Sequence, residues 1–392
     1  MQQTTLVFWN FPFAVNLQER IGPLSDIWEL LATFESRDVV SRLYAERHGR
    51  NLKKGKALEI ISHMAQGREY FDSARQAGDL VRPLLIYYGV LSLSRGVILF
   101  IRDDRRESGL KESHGLREVA WGQELAKGIQ AIPALQIELN SGTFTELVRS
   151  TGNCEVYYAV SGSFGEWVPI VGSLGTSDKL VGKVVRLGDV LARIPDLDTI
   201  YQQTLRGPRQ VFPVVVQISW DQNHEPIVAV SALSTDDKLP DPTELKDIFE
   251  LSEQTSIQVK DGNTDFALVP NVELGFHFTN IEQMAVGLPP ILMDRSHQSF
   301  LSAPLPGSMS LNSLALLFIA SYATGMLVRY FPTSWMSLIA RETGDVALPL
   351  IKTISAMVEQ RYPLLVLQEL EHQRQPGFGS TMSTRIAPDI SY

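Results

Sequence analysis

Apolar residues in the first 140 positions recur with helical spacing. From Asp26 to Tyr44, the residues Ile27, Leu30, Leu31 and Phe34, followed by Val39, Val40 and Leu43, predict one amphipathic helix. Lys56–Val81 repeats the pattern with Leu58, Ile61, Ala65, Phe71, Ala74 and Ala77. Pro83 then sets a boundary at Arg82, because proline disfavours helical geometry in the residue before it and fits a first turn. The following stretch, Leu84–Ile101, is apolar on every side. A helix of that kind has to be enclosed by others, which makes it the expected centre of the N-terminal helices.

The pattern changes after residue 145. Short β-branched or aromatic runs occur at Glu155–Val160, Lys183–Leu187, Val211–Ser219, Ile227–Leu233, Ser256–Lys260, Phe266–Val269 and Gly275–Thr279. Turn clusters separate them, among them Asp221–His224 and Asp261–Asn263, so hairpins and an antiparallel sheet are expected. Short helices are expected at Leu187–Ala192 and Thr243–Leu251. Helical spacing returns at Leu311–Phe331, Trp335–Arg341 and Ala347–His372, the last with Pro363 inside it as a kink. The reading is an α+β fold. Helices of 1–144 and 306–372 form one bundle, a mostly antiparallel β-rich region (145–305) is inserted between them, and 373–392 is a loose tail.

Composition narrows the class. The chain is 44% hydrophobic and 20% charged, which suits a soluble globular protein of two or three units and excludes collagen-like or disulfide-scaffold chains. The single cysteine, Cys154, excludes an intrachain disulfide and a thiolate zinc cluster, and is expected to pack rather than react. Leu84–Ile101 and Ser308–Val328 approach membrane-spanning length, but one holds Arg95 and the other several hydroxyl residues, so both read as core helices. With no export signal at Met1–Phe13, a cytoplasmic location and no membrane are expected.

The net charge of −9 argues against nucleic-acid binding by the whole surface. Locally the sign reverses: residues 37–117 hold 16 basic against 10 acidic side chains, net +6. Two clusters account for it, Arg47, Arg50, Lys53, Lys54 and Lys56, then Arg102, Arg105, Arg106, Lys111 and Arg117, a candidate face for phosphates. No G-x-x-x-x-G-K-[ST], G-x-G-x-x-G, G-x-S-x-G or H-E-x-x-H pattern is present. Asp261-x-Asn263-x-Asp265 misplaces the glycine of a calcium loop and reads as a turn. No metal or cofactor is expected.

The densest set of unusual residues runs from Arg82 to Leu116. Arg95 is a guanidinium inside an apolar helix and must find hydrogen-bond partners. Tyr87 and Tyr88 bring hydroxyls into the same region, and His114 precedes Gly115, which permits a tight turn. Arg82 and Arg95 are expected to form internal ion pairs between the N- and C-terminal helices, with Asp79, Glu69 or Glu342 as partners. Alternatively they hold a small anionic ligand, in a groove that Arg329, Tyr330 and Trp335 also line.

These residues, together with Leu316–Ile319, Tyr322, Arg329-Tyr330-Phe331-Pro332 and Trp335, resemble the YaaC-like family of bacterial proteins. The resemblance is strongest over 56–116 and 311–370. It implies a cytosolic bacterial protein and assigns no chemistry. A more distant likeness is to HEPN-type helical ribonucleases, in which an Arg and a His four to six residues apart meet across a dimer. Here the nearest pair is Arg106 and His114, separated by seven residues. If the likeness holds, Arg106 implies a phosphate clamp and His114 a general acid or base. The leading expectation is a non-catalytic or regulatory protein that binds a protein partner. The alternatives are a metal-independent ribonuclease and a nucleotide-sensing module, with a homodimer, RNA and nucleotides as the other candidate partners.

Overall fold

The computed structural model describes residues 24–161, 167–175, 179–232, 239–249, 251, 255–259, 272–342 and 346–372. Helical spacing in the first hundred residues becomes α1 (Leu24–Ala32), α2 (Arg37–His48), α3 (Lys54–Gln76) and α4 (Arg82–Ile101). The one helix expected over Asp26–Tyr44 is therefore two. A 3-10 turn at Thr33–Glu35 divides them and drops Phe34 into the core, where its ring meets Phe100 edge-on at 5.5 Å. Helix α4 starts at Arg82 with Pro83 in its first turn, as the proline rule requires.

The middle of the chain follows in the order β1 (Leu116–Val119), α5 (Trp121–Leu125), β2 (Gln136–Leu139), α6 (Thr143–Ser150), β3 (Cys154–Ser161), β4 (Trp167–Ser173), β5 (Val184–Arg186), α7 (Leu187–Leu191) and α8 (Asp198–Thr204). Next come β6 (Val211–Trp220), β7 (Pro226–Ala232), α9 (Pro242–Phe249), β8 (Ser256–Val259), β9 (Val272–His277), α10 (Ile281–Gly287), β10 (Ile291–Met293) and β11 (Ser299–Ser302). The chain closes with α11 (Ser313–Tyr330), α12 (Pro332–Ala340) and α13 (Ala347–His372), and Pro363 lies within α13.

The fold is α+β. One sheet has the antiparallel order β1-β2-β5, with Leu116 opposite Leu139. The larger sheet runs β10-β11-β6-β7-β9-β8, and the β3–β4 hairpin joins it through β6. That junction is parallel, Val160 opposite Gln217, inside an otherwise antiparallel sheet. Strands β1, β2, β4, β10 and β11 are absent from the pattern reading. All but β4 are three or four residues long, too short to display a period. The Phe266–Val269 run, the Asp261 turn and the tail 373–392 lie outside the described residues.

One apolar core contains side chains from both ends of the chain: Phe34, Tyr87, Val97, Phe318, Ile319 and Tyr362 belong to it. Helix α4 lies at its centre, packed by α3, α6, α11 and α13. The core also takes in Leu180, Val185, Leu187 and Leu197, so the small sheet and the helices after it pack with the terminal helices. The large sheet keeps a separate core of Val214, Val230, Leu274 and Leu301, closed by Leu245 and Phe249 of α9. Both apolar segments of near-spanning length, α4 and α11, are mostly buried in the first core.

Buried polar groups tie the two cores together. Glu155 of β3 accepts hydrogen bonds from Ser313 N (2.8 Å) and Ser313 Oγ (2.7 Å), at the N-terminus of α11. Asn312 caps that helix through Ala315 N, and its own N–H donates to Asn153 Oδ1. Arg361 of α13 pairs with Asp196 at 3.1 Å, both almost fully buried.

Candidate functional site

Helix geometry assembles the site from two seven-residue steps. On α4, Tyr88 and Arg95 lie two turns apart on one side, and on α11 so do Tyr322 and Arg329. The helices approach closely because Gly325 faces Tyr87: a Cβ there would stand 2.8 Å from the Tyr87 Cβ. Arg329 Nη1 then donates to Tyr88 OH at 3.0 Å across the gap. The Tyr87 ring meets Tyr322 edge-on at 5.5 Å.

His114 joins this cluster from the segment between α4 and β1. Gly115 holds φ at +82°, a left-handed turn that suits glycine, and its Cα side is packed against the α6 backbone at Phe144. Phe144 N donates to His114 O (3.0 Å) and Asn140 N to Gly115 O (2.8 Å), which fixes the turn. The half-buried imidazole lies 5.5 Å from the Tyr87 ring and 6.2 Å from Tyr322. Tyr322 OH donates to Leu116 O at 3.2 Å.

Three polar atoms in this cluster, Tyr87 OH, His114 Nδ1 and Glu118 Oε1, are buried without a close hydrogen-bond partner among the described residues, while the Glu118 carboxyl also interacts with the Tyr322 hydroxyl. Tyr87 is fully buried. Burial, followed by the Arg329 and Arg95 charges, pushes the His114 pKa down, with Glu118 opposing. Burial pushes the Tyr87 phenol up, helped by Tyr88 and Glu118. Burial and Glu118 do the same to Tyr322. Burial thus favours the neutral imidazole and the neutral phenols in this cluster.

Arg95 does not form the expected ion pair. Its Nε donates to Thr143 Oγ1 (3.3 Å) and its Nη2 to Lys111 O (3.1 Å), so a hydroxyl and a carbonyl hold it in place of a carboxylate. Arg82 does join N- and C-terminal helices, but its partner is Glu359 of α13. The three expected partners are engaged elsewhere: Asp79 by Lys352, Glu69 by Arg68, and Glu342 by Ser337. Trp335 stands with that tie, its Nε1 donating to Asp79 O (3.2 Å).

Arg106 and His114 do not come together as a pair. Glu59 of α3 holds the Arg106 guanidinium, with Nε 3.0 Å from both carboxylate oxygens, and the charges acting on His114 are Arg329, Arg95 and Glu118. The loop after α4 is anchored to α3 through Glu59, which also accepts from Glu107 N at 3.0 Å.

The expected basic face is largely neutralised. Arg50 pairs with Asp103, Arg102 with Asp104 (2.9 Å), Arg105 with Glu146 (3.4 Å) and Arg117 with Glu138. Arg47 is half-buried, and burial lowers its pKa against the opposing pull of Glu369. Lys56 is interior: its Nζ donates to Arg102 O (2.6 Å), Asp103 O (3.0 Å) and Tyr44 OH (3.3 Å) at the C-terminus of α4. Burial brings its pKa down to about 8. Lys53, Lys54 and Lys111 remain exposed.

Sequence reasoning overlooked Glu118 and His63. His63 is buried beside Glu107 (3.3 Å) and within the field of Arg95, and burial lowers its pKa. It also overlooked Asp221, Glu225 and His277, which cluster at the β6–β7 turn with ligand-type atoms within 4.8 Å of one another. Only the pairing of distant strands creates that group. The Cys154 thiol is pushed up to about 12 by burial, so it is a poor nucleophile.

No curated protein and no solved structure matches the chain. The family model described as YaaC-like Protein matches residues 32–370, which includes α2 through α4, His114, Glu118 and all of α11. The chain therefore belongs to the YaaC-like family.

Proposed function

We propose that this YaaC-like protein is a non-catalytic, regulatory binding protein whose polar cluster around His114, Arg95 and Arg329 takes a small anionic ligand. The observation that carries the reading is the fully buried Tyr87 hydroxyl, unpartnered beside His114 Nδ1 and Glu118 Oε1, beneath Arg95 and Arg329. Unsatisfied buried polar atoms cost about 1–3 kcal/mol each, and a ligand that pairs with them removes that cost. Two guanidiniums at the rim favour a negative charge. Phenols and a thiol with raised pKa values supply no ready nucleophile, which favours binding over covalent catalysis. Strands β8 and β4 lie at the margins of the large sheet, where an extended segment of a partner protein can pair.

The test is a thermal-shift screen of phosphates and carboxylates. A ligand at 100 times its Kd stabilises the folded state by about 2.7 kcal/mol, an easily read rise in Tm. Arg329→Gln should abolish the shift. A panel without any shift refutes the reading. The ribonuclease alternative has less support, since Arg106 is committed to Glu59. Metal-free cleavage of RNA that is lost in both Arg106→Ala and His114→Ala would reinstate it.

A further inference from the structure

The tip of the β6–β7 hairpin carries ligand-type side chains that the proposed anion site does not use. Asp221 follows the end of β6, Glu225 precedes β7, and His277 ends β9, which pairs with β7 on its other side. The register sets His277 opposite Ile227, and Phe278 N donates to Pro226 O at 3.0 Å. The turn is closed by Asp221 N to Glu225 O (3.0 Å) and His224 N to Asp221 O (3.1 Å), with His224 at φ +63°. Asp221 Oδ1 accepts from Asn223 N and Glu225 N, both at 2.8 Å, so the turn makes no use of Oδ2. A second turn is built the same way: Asp294 Oδ1 accepts from Ser296 N and Gln298 N, and His297 stands at φ +62°. There Gln298 takes the place of Glu225, so the turn geometry does not itself require a carboxylate at that position.

His277 Nε2 lies 3.4 Å from Asp221 Oδ2 and 3.5 Å from Glu225 Oε2, and the three ligand-type atoms all fall within 4.8 Å of one another. Those separations are long for charge-assisted N–H···O bonds, which run about 2.7–2.9 Å. One imidazole N–H also serves both carboxylates only by dividing itself between them. The same separations match the edges of a metal's coordination shell. Nitrogen and oxygen ligands about 2.0–2.2 Å from a tetrahedral ion stand about 3.3–3.6 Å apart. We propose that Asp221, Glu225 and His277 bind a divalent transition-metal ion of the zinc class, with water in its fourth position. The imidazole selects against Mg2+ and Ca2+, hard cations that take oxygen donors. The two carboxylates offset the double charge of the ion. Access is open, because the His277 side chain is 54% exposed and those of Asp221 and Glu225 are 23% and 30% exposed. Bound there, the ion links the hairpin tip to β9 through side chains as well as through the backbone ladder.

Calorimetric titration of the full chain, first stripped of metal by chelator and dialysis, tests this with ZnCl2, MgCl2 and CaCl2 as probes. One Zn2+ per chain should bind about 100-fold or more tightly than Mg2+ or Ca2+. His277→Ala and Glu225→Gln should each weaken Zn2+ about 10-fold or more, since even a group behind a ligand is worth that much. Asp221→Asn keeps an Oδ1 acceptor for the turn and removes the charge. It should weaken Zn2+ without lowering the Tm of the metal-free protein. Cys154→Ser should leave the affinity unchanged. Co2+ in place of Zn2+ should give the visible absorption of a four-coordinate site, absent in His277→Ala. Circular dichroism melting confirms that the variants are folded. Failure to bind Zn2+ below about 1 mM overturns the proposal. So does a Zn2+ affinity no better than that for Mg2+, or one that survives both His277→Ala and Glu225→Gln.

Discussion

Replacing Tyr87 by phenylalanine deletes one buried oxygen from the cluster and leaves the ring packing against Tyr322, His114 and Phe318 in place. An ordinary buried tyrosine loses a hydrogen bond in this exchange, and the protein is weakened. Here the hydroxyl is fully buried with no partner among the described residues, so the exchange removes a desolvated dipole instead. Relief of such a group is worth about 1–3 kcal/mol. Unfolding entropy of about 2.1 cal/mol/K per residue gives about 0.8 kcal/mol/K for 392 residues. The Tyr87→Phe protein should therefore melt about 1–4 °C higher than the parent in differential scanning calorimetry. It should also lose most of its ligand-induced shift, because the atom that made the cluster receptive is gone. A lower Tm would mean that the hydroxyl is satisfied in the folded protein, and the argument from unpaired buried atoms would fall with it.

Other perturbations probe the frame around the cluster. Gly325→Ala drives a methyl group into the Tyr87 Cβ, so it should destabilise by about 1–3 kcal/mol in urea unfolding and disable ligand binding. Arg82→Ala strands the buried Glu359 carboxylate. Because Arg82 is about one-third exposed, the loss should fall below the ~3–5 kcal/mol of a fully buried pair, and adding Glu359→Gln should restore part of it. Arg106→Ala removes an exposed guanidinium from Glu59 and should leave ligand affinity unchanged by calorimetry. His48, His63, His114 and His297 all have pKa values below the ordinary 6.5, chiefly through burial. The unfolded chain then binds more protons, so stability is complete above about pH 6.5 and declines as the pH falls through that value toward the lowered ones. His63→Gln should flatten that decline, and a stability profile level from pH 7 to 5 in the parent would contradict the assignment.

The amino-acid pattern alone determined the helices with a strong period or a sharp stop. Pro83 marked the start of α4, Pro332 separated α11 from α12, and all-round apolarity foretold that α4 would be enclosed. The β-branched runs located six strands for the same reason, since alternation and turn residues act locally. Arg82, Tyr87, Tyr88, Arg95, His114 and Arg329 stood out in the sequence as polar groups in apolar surroundings. Which of them meet was decided only by tertiary packing. Arg95 reached Thr143 and Lys111 because α6 crosses beside α4, Arg106 was drawn to Glu59, and Glu118 joined Tyr322 and His114 from a four-residue strand whose pairing is with β2. Secondary structure follows from interactions a few residues apart, whereas a site is made of contacts between residues tens to hundreds apart. Those are set by how the cores close, and Arg329 reaching Tyr88 across 241 positions is a product of that closure.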